Sequence, residues 1–252
     1  MAALEVNCRD GRGSWCVVIK TGKMLTAGER LDIVNLPANA TDFLWIESDG
    51  SKHLPTEIFD QIPNLKGISL SVGIEKIQQS DFTNAGHLQS LSIPRNVISD
   101  LPADVFAKAA NLESIEIDDS NVTEIKDFAF RGLDKLKRIR LGGNQIRVIR
   151  RNTFAGAPNL REIVLGNNEI DTIEDGAFDL PKLRALYLDS NQLKNLPVDL
   201  FSKTPSLSLL NLEKNPLDGQ IDALSKPHNI THVLSDTESS GSRRVTLLRS
   251  QP

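Results

Sequence analysis

Residues 136–159 read LKRIRLGGNQIRVIRRNTFAGAPN. Leu136, Ile139 and Leu141 are apolar, then Ile146 and Ile149, then Phe154, and Asn144 stands between the first two groups. No single helix or strand has that pattern. Ile139 and Leu141 lie two apart and share one face of an extended segment, while Arg140 points the other way. Asn144 follows where the chain must turn. The same 24-residue unit recurs on both sides, which is the mark of a repeat array.

Eight segments line up outward from this stretch. They begin at Thr41, Leu65, Leu88, Leu112, Leu136, Leu160, Leu183 and Leu207, with spacings of 24, 23, 24, 24, 24, 23 and 24. Each carries an apolar pair two residues apart, from Leu44 and Ile46 in the first to Leu210 and Leu212 in the last. The Asn position holds Asn96, Asn144, Asn168, Asn191 and Asn215, but Asp49, Gly73 and Ser120 in the other three units. Phe closes seven units, at 59, 82, 106, 130, 154, 178 and 201, and this column accounts for seven of the nine Phe in a chain with two Trp and one Tyr. The unit predicts parallel strands stacked about 4.8 Å apart with Leu and Ile turned inward. Each Asn then bonds backbone groups where the strand bends away, and the Phe column stacks along the opposite, convex side.

These units resemble the leucine-rich repeat proteins of the 24-residue extracellular type, LxxLxLxxNxLxxLxxxxFxxxxx, over residues 41–217. The resemblance implies an α/β repeat fold: a leucine-rich repeat solenoid with a curved parallel β-sheet on the concave face and short or irregular convex segments. An N-terminal cap with two cysteines is similar to that of secreted insect proteins of the mosquito leucine-rich immune kind. The cysteine-rich C-terminal cap of the wider family is missing, since Asp218 and Gly219 follow Leu217.

Residues 1–40 read as the cap that an array with exposed apolar ends requires. Val6–Arg9 and Trp15–Ile19 flank the turn-rich Asp10–Ser14, which is a hairpin signal. Cys8 and Cys16 would face each other across it. A disulfide there implies an oxidising compartment; the alternatives are free thiols or two small buried hydrophobes. Beyond the repeats, 218–234 reads as a degenerate closing unit. From Ser235 to Pro252 the composition cannot pack a core, and a disordered tail is expected.

With 252 residues the chain is long enough to bury a core, and its 29 basic against 33 acidic residues give no nucleic-acid footprint. Apolar runs fall short of the ~20 residues of a membrane span. The opening MAALEV is too short for a secretory signal, so a mature extracellular form or a cytosolic protein is expected. No catalytic constellation, phosphate loop or cofactor motif stands out, and His228 with His232 is the one pair at ligand spacing. Asn39, Asn121 and Asn229 head candidate N-glycosylation sequons.

Outward positions on the strands are free of packing constraints, so their identities carry the functional signal. The central column reads Trp45, Ser69, Ser92, Glu116, Arg140, Val164, Tyr187, Asn211. Phe43 and Trp45 stand at one end, where either the cap folds over them or a partner contacts them. In the middle, Glu116, Asp118, Arg138, Arg140, Val164, Tyr187 and Asp189 combine charge with aromatic and apolar groups, the usual anchors of interfaces. Residues 112–135 carry seven acids and three bases, whereas 136–159 carry six bases and no acid. The alternative to a binding surface is lateral neutralisation, Glu116 pairing with Arg140 and Arg138 with Glu162. The expectation is a non-catalytic extracellular recognition or adaptor module, immune by resemblance, that binds a protein on this face. An adhesion or matrix component, or a cytosolic inhibitor or regulator of the same repeat type, is the alternative.

Overall fold

The computed structural model describes residues 2–8, 15–19, 31–34, 43–47, 52–71, 73–197, 199–217, 230, 232–235 and 244–247, with side chains described at 43, 44 and from 52 to 235 among these. Cys8, Cys16 and Trp45 are therefore placed through their backbone alone, and Asn39, Asn229 and His228 lie outside the described residues.

The short alternating runs form strands in chain order: β1 (Ala2–Cys8), β2 (Trp15–Ile19), β3 (Leu31–Val34), β4 (Phe43–Glu47), β5 (Gly67–Ser71), β6 (Ser90–Ser92), β7 (Asp100–Leu101), β8 (Ser114–Glu116) and β9 (Glu124–Ile125). They continue as β10 (Arg138–Arg140), β11 (Val148–Ile149), β12 (Glu162–Val164), β13 (Thr172–Ile173), β14 (Ala185–Tyr187), β15 (Leu209–Asn211), β16 (His232–Ser235) and β17 (Arg244–Leu247). One 13-stranded sheet runs β17-β16-β15-β14-β12-β10-β8-β6-β5-β4-β2-β1-β3, and β7–β9 and β11–β13 make two small parallel pairs. Among the described residues the connecting segments hold one α-helix, Glu57–Gln61, and otherwise consist of turns with a short 3₁₀ segment at Gln79–Phe82. The architecture is a leucine-rich repeat solenoid.

Register follows the repeat. Trp45 pairs with Ser69, Ser69 with Ser92, Ser92 with Glu116 and Glu116 with Arg140, and the same column runs on through Val164 and Tyr187 to Asn211. Between these outward residues, Leu91, Ile115, Ile139, Ile163, Leu186 and Leu210 are almost completely buried. Burial of this kind stabilises by about 1.5–3 kcal/mol per large aliphatic side chain, before the entropy of ordering it is subtracted.

The Phe column forms a continuous ladder. Its six consecutive pairs have ring centroids 5.4–6.5 Å apart. From Phe106 to Phe178 the planes lie within 20° of parallel at 5.8 Å, which is offset stacking. Gly156, in the turn after Phe154, has φ +100°, and a Cβ there would stand 2.6 Å from Arg131 Cα of the preceding turn. Glycine alone allows that approach.

The buried Asn column works in one direction along the chain. Asn144 Oδ1 accepts from the N–H of Ser120 (3.0 Å) and Val122 (2.9 Å), both in the preceding turn. Its Nδ2 donates back to Ile117 O at 2.8 Å and, within its own turn, to Leu141 O at 3.0 Å. Asn96, Asn168, Asn191 and Asn215 repeat the scheme, each reaching the turn before its own. Ser120 stands in one rung with a single hydroxyl, which accepts from Asn96 N at 3.2 Å.

At the N-terminal end the cap continues the sheet. Strand β2 lies parallel to β4 and β1 antiparallel to β2, so Cys8 stands opposite Cys16 in the backbone register. The described cap strands thus lie beside Phe43 and Trp45 in the sheet. At the other end β16 pairs parallel with β15, and Ile230 and Val233 are buried. One feature departs from the expected disordered tail: Arg244–Leu247 forms β17, antiparallel to β16. The cause is the free edge of β16, whose unpaired N–H and C=O groups template a further strand even for a short isolated apolar run.

Candidate concave recognition surface

Each three-residue strand buries its middle residue and turns its first and last outward, and the parallel register brings the last positions into a row. On β8, β10, β12 and β14 the row holds Glu116, Arg140, Val164 and Tyr187, all half-buried. Asp118, Gly142, Gly166 and Asp189 follow two residues later in each unit, at the bend where the strand ends. Where Gly142 and Gly166 lack side chains there is a depression of about 420 Å³, lined also by Val164, Tyr187, Asp118, Asp189 and Glu162.

Arg140 stands over this depression in a fixed pose. Its Nε and Nη2 both lie 3.0 Å from Asp118 Oδ2. Asp118 is itself held, because its Oδ1 accepts the Gly142 N–H at 2.7 Å and its side chain is only 15% exposed. Burial pulls the Arg140 pKa down and is the largest single influence on it. The Asp118 charge and hydrogen bond, with the charges of Glu116 and Glu162, together outweigh burial and raise it. The guanidinium is a permanent, oriented cation.

This differs from the lateral pairing that the sequence offered as the alternative to a binding surface. Arg140 pairs with Asp118, not with Glu116 directly across the strand boundary, because Asp118 is anchored by a backbone amide at the bend. Arg138 does approach Glu162, at 3.9 Å, and remains 56% exposed. The two arginines therefore respond differently to charge reversal. Arg138→Glu is expected to change stability by less than about 1 kcal/mol. Arg140→Glu sets a carboxylate against Asp118 and is expected to cost about 1–3 kcal/mol, held down by the solvent that reaches the guanidinium. Urea midpoints of the two variants check this, and equal midpoints would show that the Asp118 pair carries no weight.

The structure thus gathers Asp118, Arg140, Val164, Tyr187 and Asp189 around one depression. Arg138 and Glu116 lie on the same strands but outside its lining, and Phe43 is on β4, three strands from β8. Glu162, Asp119, Asn167 and three glycines, Gly142, Gly143 and Gly166, complete the lining. Gly142 and Gly166 were visible in sequence as consecutive members of one column; that a gap in this column makes a cavity requires knowing how neighbouring carboxylates lean over it.

Six copies of the BspA type leucine-rich repeat region are matched over residues 45–111 and 99–230. Among curated protein sequences none matches. Among solved structures, a chain of the glycosylated Toll–Spatzle complex of Drosophila superposes with a TM-score of 0.62 at 25% identity, over 78% of this chain and 30% of that one. An internalin (inlF) of Listeria monocytogenes gives 0.60 at 23% identity, over 86% of this chain and 60% of that one. An internalin C2 of the same bacterium gives 0.55 at 21%, over 69% of this chain and 73% of that one. The chain spans well under two thirds of the Toll-complex chain and 60% of the inlF structure, and the likeness to both internalins is one of fold. The inward Leu and Ile, the buried Asn and Phe ladders and the six matched copies lead to one conclusion: the chain belongs to the BspA type leucine-rich repeat family.

Proposed function

We propose that the protein is an extracellular recognition module that binds a protein partner through the middle of its concave sheet. The observation that carries this is the pose of Arg140. An arginine locked by a half-buried carboxylate loses little entropy on meeting a partner, and it stands beside an aromatic and an aliphatic side chain at the rim of an open depression. An open sheet of this length suits a protein surface better than a small metabolite. Toll is described in complex with Spatzle, as a hub in development and innate immunity, and protein recognition is the role that best fits this solenoid too.

The extracellular assignment draws on separate features. Cys8 and Cys16 are opposite residues of one antiparallel pair, a placement suited to a disulfide. Asn121 of the Asn121–Thr123 sequon is exposed at a turn, open to a glycan. No helix of the described residues is long and apolar enough to cross a membrane. The immune setting rests on the two-cysteine cap and the Toll likeness.

Affinity capture from extracellular fluid tests the reading, with the wild-type chain, Tyr187→Ala and Arg138→Glu used side by side. A protein retained by the wild type and lost by both variants is the expected result. One captured equally by all three moves the site off the concave face. Thiol alkylation of the native protein is expected to label neither cysteine before reduction, and two labelled cysteines would favour an intracellular regulator instead.

A further inference from the structure

We infer that the depression between β10 and β14 receives one basic side chain, a guanidinium or an ammonium, from the protein partner; this deepens the concave-face reading and rests on it. The starting point is a contrast between two aspartates in the same column. Asp118 leans toward Gly142, accepts its N–H and holds Arg140. Asp189 leans the other way, toward Gly166, where an added Cβ would stand 2.8 Å from its Oδ1. The carboxylate of Asp189 has no hydrogen bond or ion pair among the described residues, and only its backbone carbonyl is engaged. Among the described residues, this half-buried carboxylate has no counter-charge, since the one cation in the lining, Arg140, is bonded to Asp118.

The rest of the lining fits a cation. Asp118, Asp119, Glu162 and Asp189 stand against Arg140 alone, so the depression carries a net negative charge. Glu162, also in the lining, has a long 3.9 Å contact with Arg138. Tyr187 offers an aromatic ring beside Asp189, the setting in which a guanidinium or ammonium gains from a ring face as well as from a carboxylate. Val164 provides an apolar wall for the methylene stem of a long basic side chain. The volume of 420 Å³ lies toward the small end of the range of ligand pockets, about 300–1,000 Å³.

Tyr187 is the single tyrosine of the chain, so 3-fluorotyrosine labelling gives one ¹⁹F resonance at the site. Titration with acetyl-arginine amide and acetyl-lysine amide is expected to shift it saturably, with weakening as salt is raised. The neutral isostere acetyl-citrulline amide is expected to leave it in place. Asp189→Asn, and Gly166→Ala through displacement of the Asp189 carboxylate, are each expected to weaken arginine binding by about tenfold. A silent resonance, an equal response to citrulline, or indifference to Asp189→Asn overturns the inference. So does a response to calcium chloride without one to arginine, which would assign the carboxylates to a metal ion. Partner capture that depends on Tyr187 while the resonance stays silent to arginine overturns this inference and leaves the concave-face reading standing. Arginine binding with capture unchanged in the concave variants overturns that reading, and with it the assignment of the bound cation to the partner.

Discussion

Phe154→Ala is expected to lower the free energy of unfolding by about 3–5 kcal/mol, the range for truncating a fully buried Phe. Phe154 is 1% exposed and stacks between Phe130 and Phe178 at 5.8 Å on both sides. Its removal opens a cavity and breaks two aromatic contacts at once, and the ladder cannot close the gap because each ring is carried by its own turn. Ser202 is the control: it follows Phe201 directly, is exposed, and its backbone N–H already bonds Asp199 O at 3.0 Å. Ser202→Ala is expected to stay within ~0.5 kcal/mol. Denaturant unfolding that gave equal losses for the two would overturn the register of the Phe column.

Asn144→Ala ranks with it. The substitution strands the N–H groups of Ser120 and Val122 and the carbonyl of Ile117, all bonded to this one side chain. Leu141 O keeps a partner, since Asn168 Nδ2 also donates to it at 2.9 Å. Each stranded buried group costs about 1–3 kcal/mol, offset in part by no longer burying the amide, and a net loss of about 3–4 kcal/mol is expected. Asn215 makes a smaller set, accepting from Leu193 N–H alone and donating back to Leu188 O, and it is only half-buried. Water can replace its amide, so Asn215→Ala is expected to cost about 1 kcal/mol. Equal losses at 144 and 215 would mean that burial does not govern the ladder.

Much of this architecture was legible in the sequence, for a definite reason. A period of 23 or 24 residues with an apolar pair two apart leaves one register in which both members of every pair are buried, and that register fixes which residues face outward. Arg140, Val164 and Tyr187 were therefore placed in the right row. What lay beyond reach was how outward side chains lean. Glu116 is the neighbour of Arg140 in the register, yet the ion pair forms with Asp118, because the Gly142 N–H fixes that carboxylate within reach. The opposite lean of Asp189 toward Gly166 likewise follows from backbone geometry at two bends that the same letter, Asp, does not distinguish. The strand at Arg244–Leu247 was missed because an edge strand is recruited by the open edge it meets, and composition alone does not report that edge.

The backward reach of the asparagines gives the solenoid an arrow. Every rung amide satisfies groups that were synthesised 21–27 residues before it. As the chain leaves the ribosome, which extends it N-terminus first, a newly emerged turn holds open amide and carbonyl groups until the asparagine of the next turn arrives to close them. The growing end is thus always one turn short of completion, and each new turn acts as the lock on the one already made. A nascent chain halted just before Asn144 would leave the Ser120 turn unlatched, while Asn96 has already closed the Gly73 turn.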